Sequence, residues 1–108
     1  MDNITTIDEW KNILEKSKND VQIVYKHSNT CAVCTNIQDL LNSVLNDDKL
    51  KHKIYKVIVH DNRDVSDQIE KDLALKHESP QLILIKNTEV LYFANHYDIN
   101  IQDILDYI

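Results

Sequence analysis

The chain has 108 residues and a formal net charge of −6, from 12 Lys plus Arg and 18 Asp plus Glu. This length supports one hydrophobic core but not two, so we expect a single domain over residues 1–108. The acidic balance excludes a general nucleic-acid binder, because the neutralisation of phosphates needs clustered Lys and Arg.

The N-terminal sequence MDNITTIDEW has neither the basic segment nor the apolar segment of a signal peptide. The longest apolar runs, at 82–85 and 90–94, are too short to span a bilayer. We therefore expect a cytoplasmic protein without a membrane partner. In a reducing cytosol, a Cys-x-x-Cys pair is more often catalytic or metal-binding than a structural disulfide.

Apolar residues repeating at three and four positions predict helices over roughly 6–18 and 32–46, one beginning near Asp64 and one from about 100. Thr6 and Glu9 have the spacing of a capping box at the start of the first helix. Asp64, with Asp67 three residues later, is expected to cap the third helix, and Asn100 to cap the last.

Apolar, β-rich segments predict strands at 21–25, 54–60, 81–86 and 90–94. The last two flank the short turn Asn87-Thr88, which predicts a hairpin. Alternating helices and strands predict parallel strands joined by crossover helices, to which the hairpin adds an antiparallel edge. The predicted fold is thioredoxin-like: an α/β domain with a central mixed four-stranded sheet flanked by helices. A short extra strand has room only within residues 2–5.

The chain contains no glycine, so positions that need a positive φ must use other residues. Asn and Asp are the next most tolerant residues. Four asparagines stand where the periodic segments break and are predicted to take this role: Asn19, Asn46, Asn62 and Asn87.

The only two cysteines, Cys31 and Cys34, lie in the segment KHSNTCAVCTNI at 26–37. Cys31 follows a buried strand and begins a helix, where unpaired N–H groups and the helix dipole favour a thiolate. Cys34 falls one turn later on the same side and deeper in the helix. The spacing therefore predicts that Cys31 is the nucleophile and Cys34 the resolving thiol.

Two alternatives remain for the cysteines. They can be buried structural thiols, since free cysteine is among the most buried residue types. They can also be half of a zinc or iron–sulfur site, although a closed zinc site needs four ligands. Five scattered histidines do not form a second ligand pair, but two of them can lie near Cys31; the five are His27, His52, His60, His77 and His96.

Ser79-Pro80 holds the only proline and precedes a predicted strand, where a proline removes no ladder bond. In thioredoxin-like domains a cis proline at this point packs beside the active cysteines, and X-Pro bonds can be cis. The alternative is a trans proline that merely ends the third helix. The groove beside Pro80 also allows a third class of function, a binding module that holds a partner without turnover.

The segment ANHYDIN at 94–100 places His96, Tyr97 and Asp98 just before a predicted helix N-terminus. A helix N-terminus can bind an anion. The alternative is an ordinary loop with a capping residue.

Three segments closely resemble the bacilliredoxin-like family, small thioredoxin-fold proteins of the bacillithiol system: KHSNTC at 26–31, KHESPQLILIKN at 76–87 and ANHYDIN at 94–100. The resemblance covers nearly the whole chain, and KHESPQ is its most specific segment. It implies that Cys31 attacks the bacillithiol sulfur of a mixed disulfide and frees the protein thiol. It also implies that Pro80 is cis and lies beside Cys31. Thr30 and Ser79 match the family residues that precede the reactive cysteine and the proline.

The chain departs from the family pattern T-C-P-I-S, because residues 30–34 read TCAVC. Cys34 can resolve an adduct on Cys31, which leaves a Cys31–Cys34 disulfide and requires a dithiol reductant for recycling. The resemblance implies bacillithiolated proteins and bacillithiol as partners and no bound cofactor.

Bacillithiol carries a malate portion with two carboxylates. We expect one or more of four cationic or cationisable residues to hold it: Lys26, His27, His77 and His96. The alternative for each of the four is a solvated surface residue.

Overall fold

The strands of this protein form one five-stranded sheet with helices on both faces. The computed structural model describes residues 1–47 and 50–108. The strands are β1 (Asp2–Asn3), β2 (Gln22–His27), β3 (Ile54–Ile58), β4 (Gln81–Lys86) and β5 (Glu89–Asn95). The helices are α1 (Ile7–Lys16), α2 (Ala32–Leu45), α3 (Arg63–Leu73) and α4 (Ile101–Tyr107), with a short 3₁₀ turn at His96–Asp98.

The sheet order is β1-β3-β2-β4-β5. Strands β1, β3 and β2 run parallel, whereas β4 is antiparallel to β2 and β5 is antiparallel to β4. The predicted mixed sheet is confirmed, and its fifth strand, β1, lies within residues 2–5, the only segment with room for it. Parallel strands β2 and β3 send their carboxyl ends to the same edge, which is where binding sites of open α/β sheets form.

Two apolar layers cover the faces of the sheet, and β2 contributes to both because successive side chains alternate. Ile23 and Tyr25 join the layer that contains Ile37 and Leu41 of α2, whereas Val24 joins the layer that contains Trp10 of α1. Each fully buried apolar side chain of this size stabilises the fold by roughly 1.5–3 kcal/mol. None of the helices in the described residues is long and apolar enough to cross a membrane.

Two of the three predicted helix caps are present. The hydroxyl of Thr6 accepts the N–H of Glu9 at 3.1 Å, and the Glu9 carboxylate accepts the N–H of Thr6 at 3.1 Å, so the capping box is confirmed. Asn100 caps α4 by accepting the N–H of Asp103 at 3.0 Å.

The predicted cap of α3 is wrong. Asn62 occupies the N-cap position and Asp64 lies inside the first turn. The Asn62 side chain does not cap the helix but donates to the carbonyl of Thr5 at 3.1 Å. Within the described residues, the N-cap side chain therefore accepts none of the N–H groups of the first turn of α3.

Positive φ angles occur at four described residues: Ala74, Asn87, Thr88 and His96. The prediction is confirmed for Asn87 and wrong for Asn19, Asn46 and Asn62. Asn46 ends α2 at φ −82°, and Asn62 begins α3 at φ −130°, so neither helix end needs the left-handed region.

The β4–β5 hairpin turn generates a prediction about stability. Lys86 pairs with Glu89 across the two-residue loop Asn87-Thr88, whose φ angles are 52° and 64°. A β-branched side chain is strained at positive φ, and type I′ hairpins prefer glycine there. We expect Thr88→Gly to raise the free energy of unfolding by about 0.5–1 kcal/mol, measured by urea denaturation.

Thr88→Ala is the matched control, because it removes the β-branch but keeps a Cβ atom at positive φ. It should gain less than Thr88→Gly. Both variants keep the backbone N–H that donates to Ser17 Oγ at 2.9 Å. A lower unfolding free energy for Thr88→Gly would contradict the strain argument.

Candidate active site

Cys31 occupies the N-cap position of α2, and its sulfur accepts the backbone N–H of Cys34 at 3.2 Å. Ser, Asp and Asn usually hold this position because their side chains accept a first-turn N–H, so the sulfur takes the place of a capping oxygen. The Cys31 N–H donates to the carbonyl of Ser28 at 3.4 Å, which closes the turn after β2. Cys31 is partly exposed, whereas Cys34 is fully buried. This arrangement agrees with the predicted placement of the two thiols.

The electrostatics of the two thiols are opposite. A hydrogen bond from the Cys34 side chain lowers the pKa of Cys31, and the amides of Cys34 and Val33 act in the same direction. Burial raises the pKa of Cys34 to about 11, and its hydrogen bond to Cys31 adds to that rise. The hydrogen bonds at Cys31 therefore favour a thiolate there, while burial keeps the proton on Cys34. The site presents an exposed nucleophile backed by a protonated thiol.

The predicted cis bond between Ser79 and Pro80 is present. Pro80 directly precedes β4, whose first residue, Gln81, pairs with Lys26 of β2. The proline therefore lies at the end of β2 that leads to Cys31. Pro80 is buried, and its carbonyl accepts the N–H of His96 at 2.9 Å, which ties the segment after β5 to the same edge.

His27 lies buried on the α2 side of the sheet, not in solvent. Its Nδ1 is 2.8 Å from the hydroxyl of Tyr25, which donates to the carbonyl of Cys34 at 3.0 Å. Burial lowers the pKa of His27, and the positive charge of Lys56 lowers it further. The neutral, buried ring of His27 therefore supports the backbone of Cys34 through Tyr25. It offers no positive charge to a carboxylate of bacillithiol.

Tyr25 is the residue of this cluster that the sequence did not single out. Its ring is fully buried, and burial raises the pKa of its hydroxyl, with the charges of Cys34 and Cys31 adding to the rise. The available signal was a tyrosine hydroxyl directly after the apolar residues Ile23 and Val24, six residues before the reactive cysteine.

Lys26 points to the opposite face of the sheet and is fully buried. Its ammonium donates to the carbonyl of Ser66 at 3.1 Å and lies 3.2 Å from Nδ1 of His77. Burial lowers the pKa of Lys26 to about 8, against the opposing charges of Glu70 and Asp67. Burial and the Lys26 charge lower the pKa of His77. The structure thus joins two of the four proposed carboxylate-binding residues, and Lys26 is not a solvated surface residue.

His96, the last of the four residues proposed to hold a carboxylate, has no hydrogen bond to Lys26 or His77 among the described residues. It is exposed, has a backbone φ of 52°, and places Nε2 3.5 Å from a carboxylate oxygen of Glu78. The neighbouring Tyr97 is 70% exposed. His96 and Tyr97 therefore form a free polar and aromatic surface beside the Pro80 segment.

Thr30 directly precedes Cys31, and Ser79 directly precedes Pro80. Thr30 is exposed, and its hydroxyl is 3.2 Å from that of Ser28, which in turn lies 3.0 Å from Nε2 of His60. Ser79 is partly buried. His60, which the sequence presented only as one of five scattered histidines, thus belongs to the surroundings of Cys31.

The metal-binding alternative requires further ligands near the two cysteines. Within residues 1–47 and 50–108, no group of three or more His, Cys, Asp or Glu side chains is arranged to hold a metal ion. A closed zinc site needs four ligands. In the described part of the chain, Cys31 and Cys34 would supply two, and no third side chain is arranged to join them.

Comparisons with known proteins agree with this geometry. The family model of monothiol bacilliredoxin BrxC matches residues 2–104. A solved structure described as a candidate oxidoreductase with a thioredoxin fold is 33% identical, with a TM-score of 0.86 over 98% of this chain and 91% of that chain.

Two thioredoxins are more distant in sequence. The Plasmodium falciparum protein is 18% identical, with a TM-score of 0.76 over 98% of this chain and 97% of its own. The Fasciola hepatica protein is 15% identical, with a TM-score of 0.74 over 98% of this chain and 94% of its own. At these identities the thioredoxins show the fold alone. The predicted thioredoxin-like fold is confirmed, and the family match supports a thiol redox role.

The buried ammonium of Lys26 generates a prediction about the pH dependence of stability. Its pKa is about 8 in the folded chain and 10.5 ordinarily, so between these values the unfolded chain holds more protons. Unfolding free energy should therefore rise with pH across this window. Relative to Lys26→Met, which removes the titrating group, the wild type should gain stability from about pH 8 to about pH 10.5.

The exposed residue Lys11 provides the control. Chemical denaturation at several pH values should give a flat difference between the wild type and Lys11→Met. A flat difference for Lys26→Met as well would show that the Lys26 ammonium keeps its ordinary pKa in the fold.

Proposed function

The chain belongs to the monothiol bacilliredoxin family, and we propose that it reduces mixed disulfides between bacillithiol and proteins as a thiol–disulfide oxidoreductase. One observation carries the proposal: the partly exposed sulfur of Cys31 caps α2 and accepts the backbone N–H of Cys34 at 3.2 Å, while the Cys34 thiol is buried one turn behind it. A lowered pKa makes Cys31 a thiolate over a wider pH range, and the thiolate is the species that attacks disulfides.

In the first step, the Cys31 thiolate attacks the bacillithiol sulfur of the mixed disulfide. The bond between Cys31 Sγ and that sulfur forms as the bond to the client sulfur breaks. The client leaves as a thiolate and takes a proton from solvent. The client cysteine is thereby reduced, and Cys31 carries bacillithiol as a mixed disulfide.

In the second step, Cys34 loses its proton to solvent and attacks Cys31 Sγ. Bacillithiol leaves as a thiolate, and a Cys31–Cys34 disulfide remains. A dithiol reductant then supplies the two electrons that restore both thiols. The family is described as monothiol, so this second step adds a second thiol to its mechanism. The step rests on the position of Cys34, one helical turn behind Cys31.

The surroundings of Cys31 suggest how the substrate is held. We propose that Thr30 and Ser79 border the bound disulfide on its two sides, at the edge where Pro80 meets β2. His77, supported by the Lys26 ammonium at 3.2 Å, remains a candidate for the carboxylates of bacillithiol, and exposed His96 is a second.

A thioredoxin-like dithiol reductase is a second candidate function. The position of Cys34 one helical turn behind the Cys31 sulfur favours it, because such a pair of thiols can reduce a protein disulfide without a small thiol. The two candidates share the Cys31–Cys34 product and differ in whether an adduct with bacillithiol forms.

Intact mass spectrometry of the reduced protein after exposure to oxidised bacillithiol tests the proposal. We expect the wild type to end with a mass lower by two hydrogens, because Cys34 displaces bacillithiol from Cys31. Cys34→Ser should stop at one bacillithiol adduct on Cys31. Cys31→Ser is the matched control and should form no adduct, because Cys34 is buried and keeps its proton.

An adduct that persists on Cys31 in both the wild type and Cys34→Ser would make the protein monothiol and Cys34 a bystander. The absence of any reaction in the wild type would overturn the redox proposal itself.

A further inference from the structure

A pocket of about 220 Å³ opens at the carboxyl end of β3, beside the loop that carries Cys31. It is lined by Val59, His60, Arg63, Ser66, Asp67, His77 and Ser79. Ser79 directly precedes Pro80. His60 is linked to the cysteine loop through Ser28, whose hydroxyl lies 3.0 Å from His60 Nε2 and whose carbonyl accepts the Cys31 N–H at 3.4 Å.

The lining of this pocket is less acidic than the chain as a whole. Its ionisable lining consists of Arg63, His60 and His77 against a single carboxylate, Asp67, whereas the chain has a net charge of −6. The buried ammonium of Lys26 stands directly behind the wall, bonded to Ser66 and His77. With the histidines counted as neutral, as they are in that net charge, Arg63 balances Asp67, so the Lys26 ammonium is the charge whose local field attracts a small anion.

Arg63 is the only arginine in the chain. Among the residues that the structure describes, it forms no ion pair, so its guanidinium is not already committed to a carboxylate. Arginine presents a planar fork of N–H donors that matches a carboxylate with two parallel hydrogen bonds.

The pocket also contains the start of α3, an 11-residue helix. The side chain of the N-cap residue Asn62 is bonded to the Thr5 carbonyl and accepts none of the first-turn N–H groups. An uncapped helix N-terminus favours an anion through these donors and the helix dipole. Arg63 thus brings its guanidinium and the N-terminal end of α3 to the cavity, beside His60.

We propose that this pocket binds a carboxylate of the low-molecular-weight thiol that Cys31 carries, and that Arg63 makes the chain selective for an anionic thiol over an uncharged one. The inference rests on the proposed function and adds the charge of the substrate to it. Arg63 forms the paired hydrogen bonds, His60 and the α3 amides supply further donors, and His77 closes the wall in front of Lys26.

The test uses the Cys34→Ser protein, in which an adduct on Cys31 accumulates. Its rate of adduct formation is measured by mass spectrometry with oxidised bacillithiol, which carries carboxylates, and with 2-hydroxyethyl disulfide, which is uncharged. Arg63→Gln in this background should lower the ratio of the two rates about tenfold, the size of one lost charge-assisted pair. Lys71→Gln changes the net charge equally, at an exposed position near the other end of α3, and should leave the ratio unchanged.

An unchanged ratio in Arg63→Gln, or an equal fall in Lys71→Gln, would overturn the pocket inference while adduct formation still supported the proposed function. A Cys34→Ser protein that reacts with 2-hydroxyethyl disulfide but not with oxidised bacillithiol would overturn both.

Discussion

The hydrogen bond from the Cys34 N–H to the Cys31 sulfur is the constraint on which the site depends. It requires that α2 begin at Cys31 and that Cys34 lie one turn deeper. The apolar face of α2, with Ile37 and Leu41 in the core, holds the helix in that register. Because Cys31 caps α2, its sulfur is partly exposed and that of Cys34 is buried. The opposite pKa shifts of the two thiols follow from these positions.

Strand β2 separates the chemistry of the site into two faces. Tyr25 and His27 lie under α2 and form a buried, uncharged support for the Cys34 carbonyl. Lys26, between them in sequence, points to α3 and supplies the positive charge behind His77. Because side chains alternate along a strand, adjacent residues serve different tasks. The Cys31 sulfur accepts a hydrogen bond, while Lys26 and Arg63 lie where we place the anionic part of the substrate.

Much of this architecture follows from local sequence signals. Apolar periodicity predicted the helices and strands, and Cys31 at a helix start implied the capping geometry. Contacts between distant segments could not be predicted in this way. The predicted Asp64 cap of α3 is wrong because the helix begins at Arg63, and the residue at the N-cap, Asn62, bonds instead to Thr5, 57 residues away. Likewise, a lysine five residues before a cysteine gives no sign of its burial, because that depends on α3 packing over β2.

The account is tested most directly by the pH dependence of the two proposed steps. Adduct formation is followed in Cys34→Ser and bacillithiol release in the wild type, between about pH 6 and about pH 10. Burial, the main cause of the raised Cys34 pKa, persists when Cys31 carries bacillithiol. Release should therefore keep accelerating with pH, toward a Cys34 pKa that burial keeps raised, after adduct formation has levelled off at a lower pH. A release rate that is independent of pH, or that levels off together with adduct formation, would contradict the assignment of Cys34 as a buried, protonated resolving thiol.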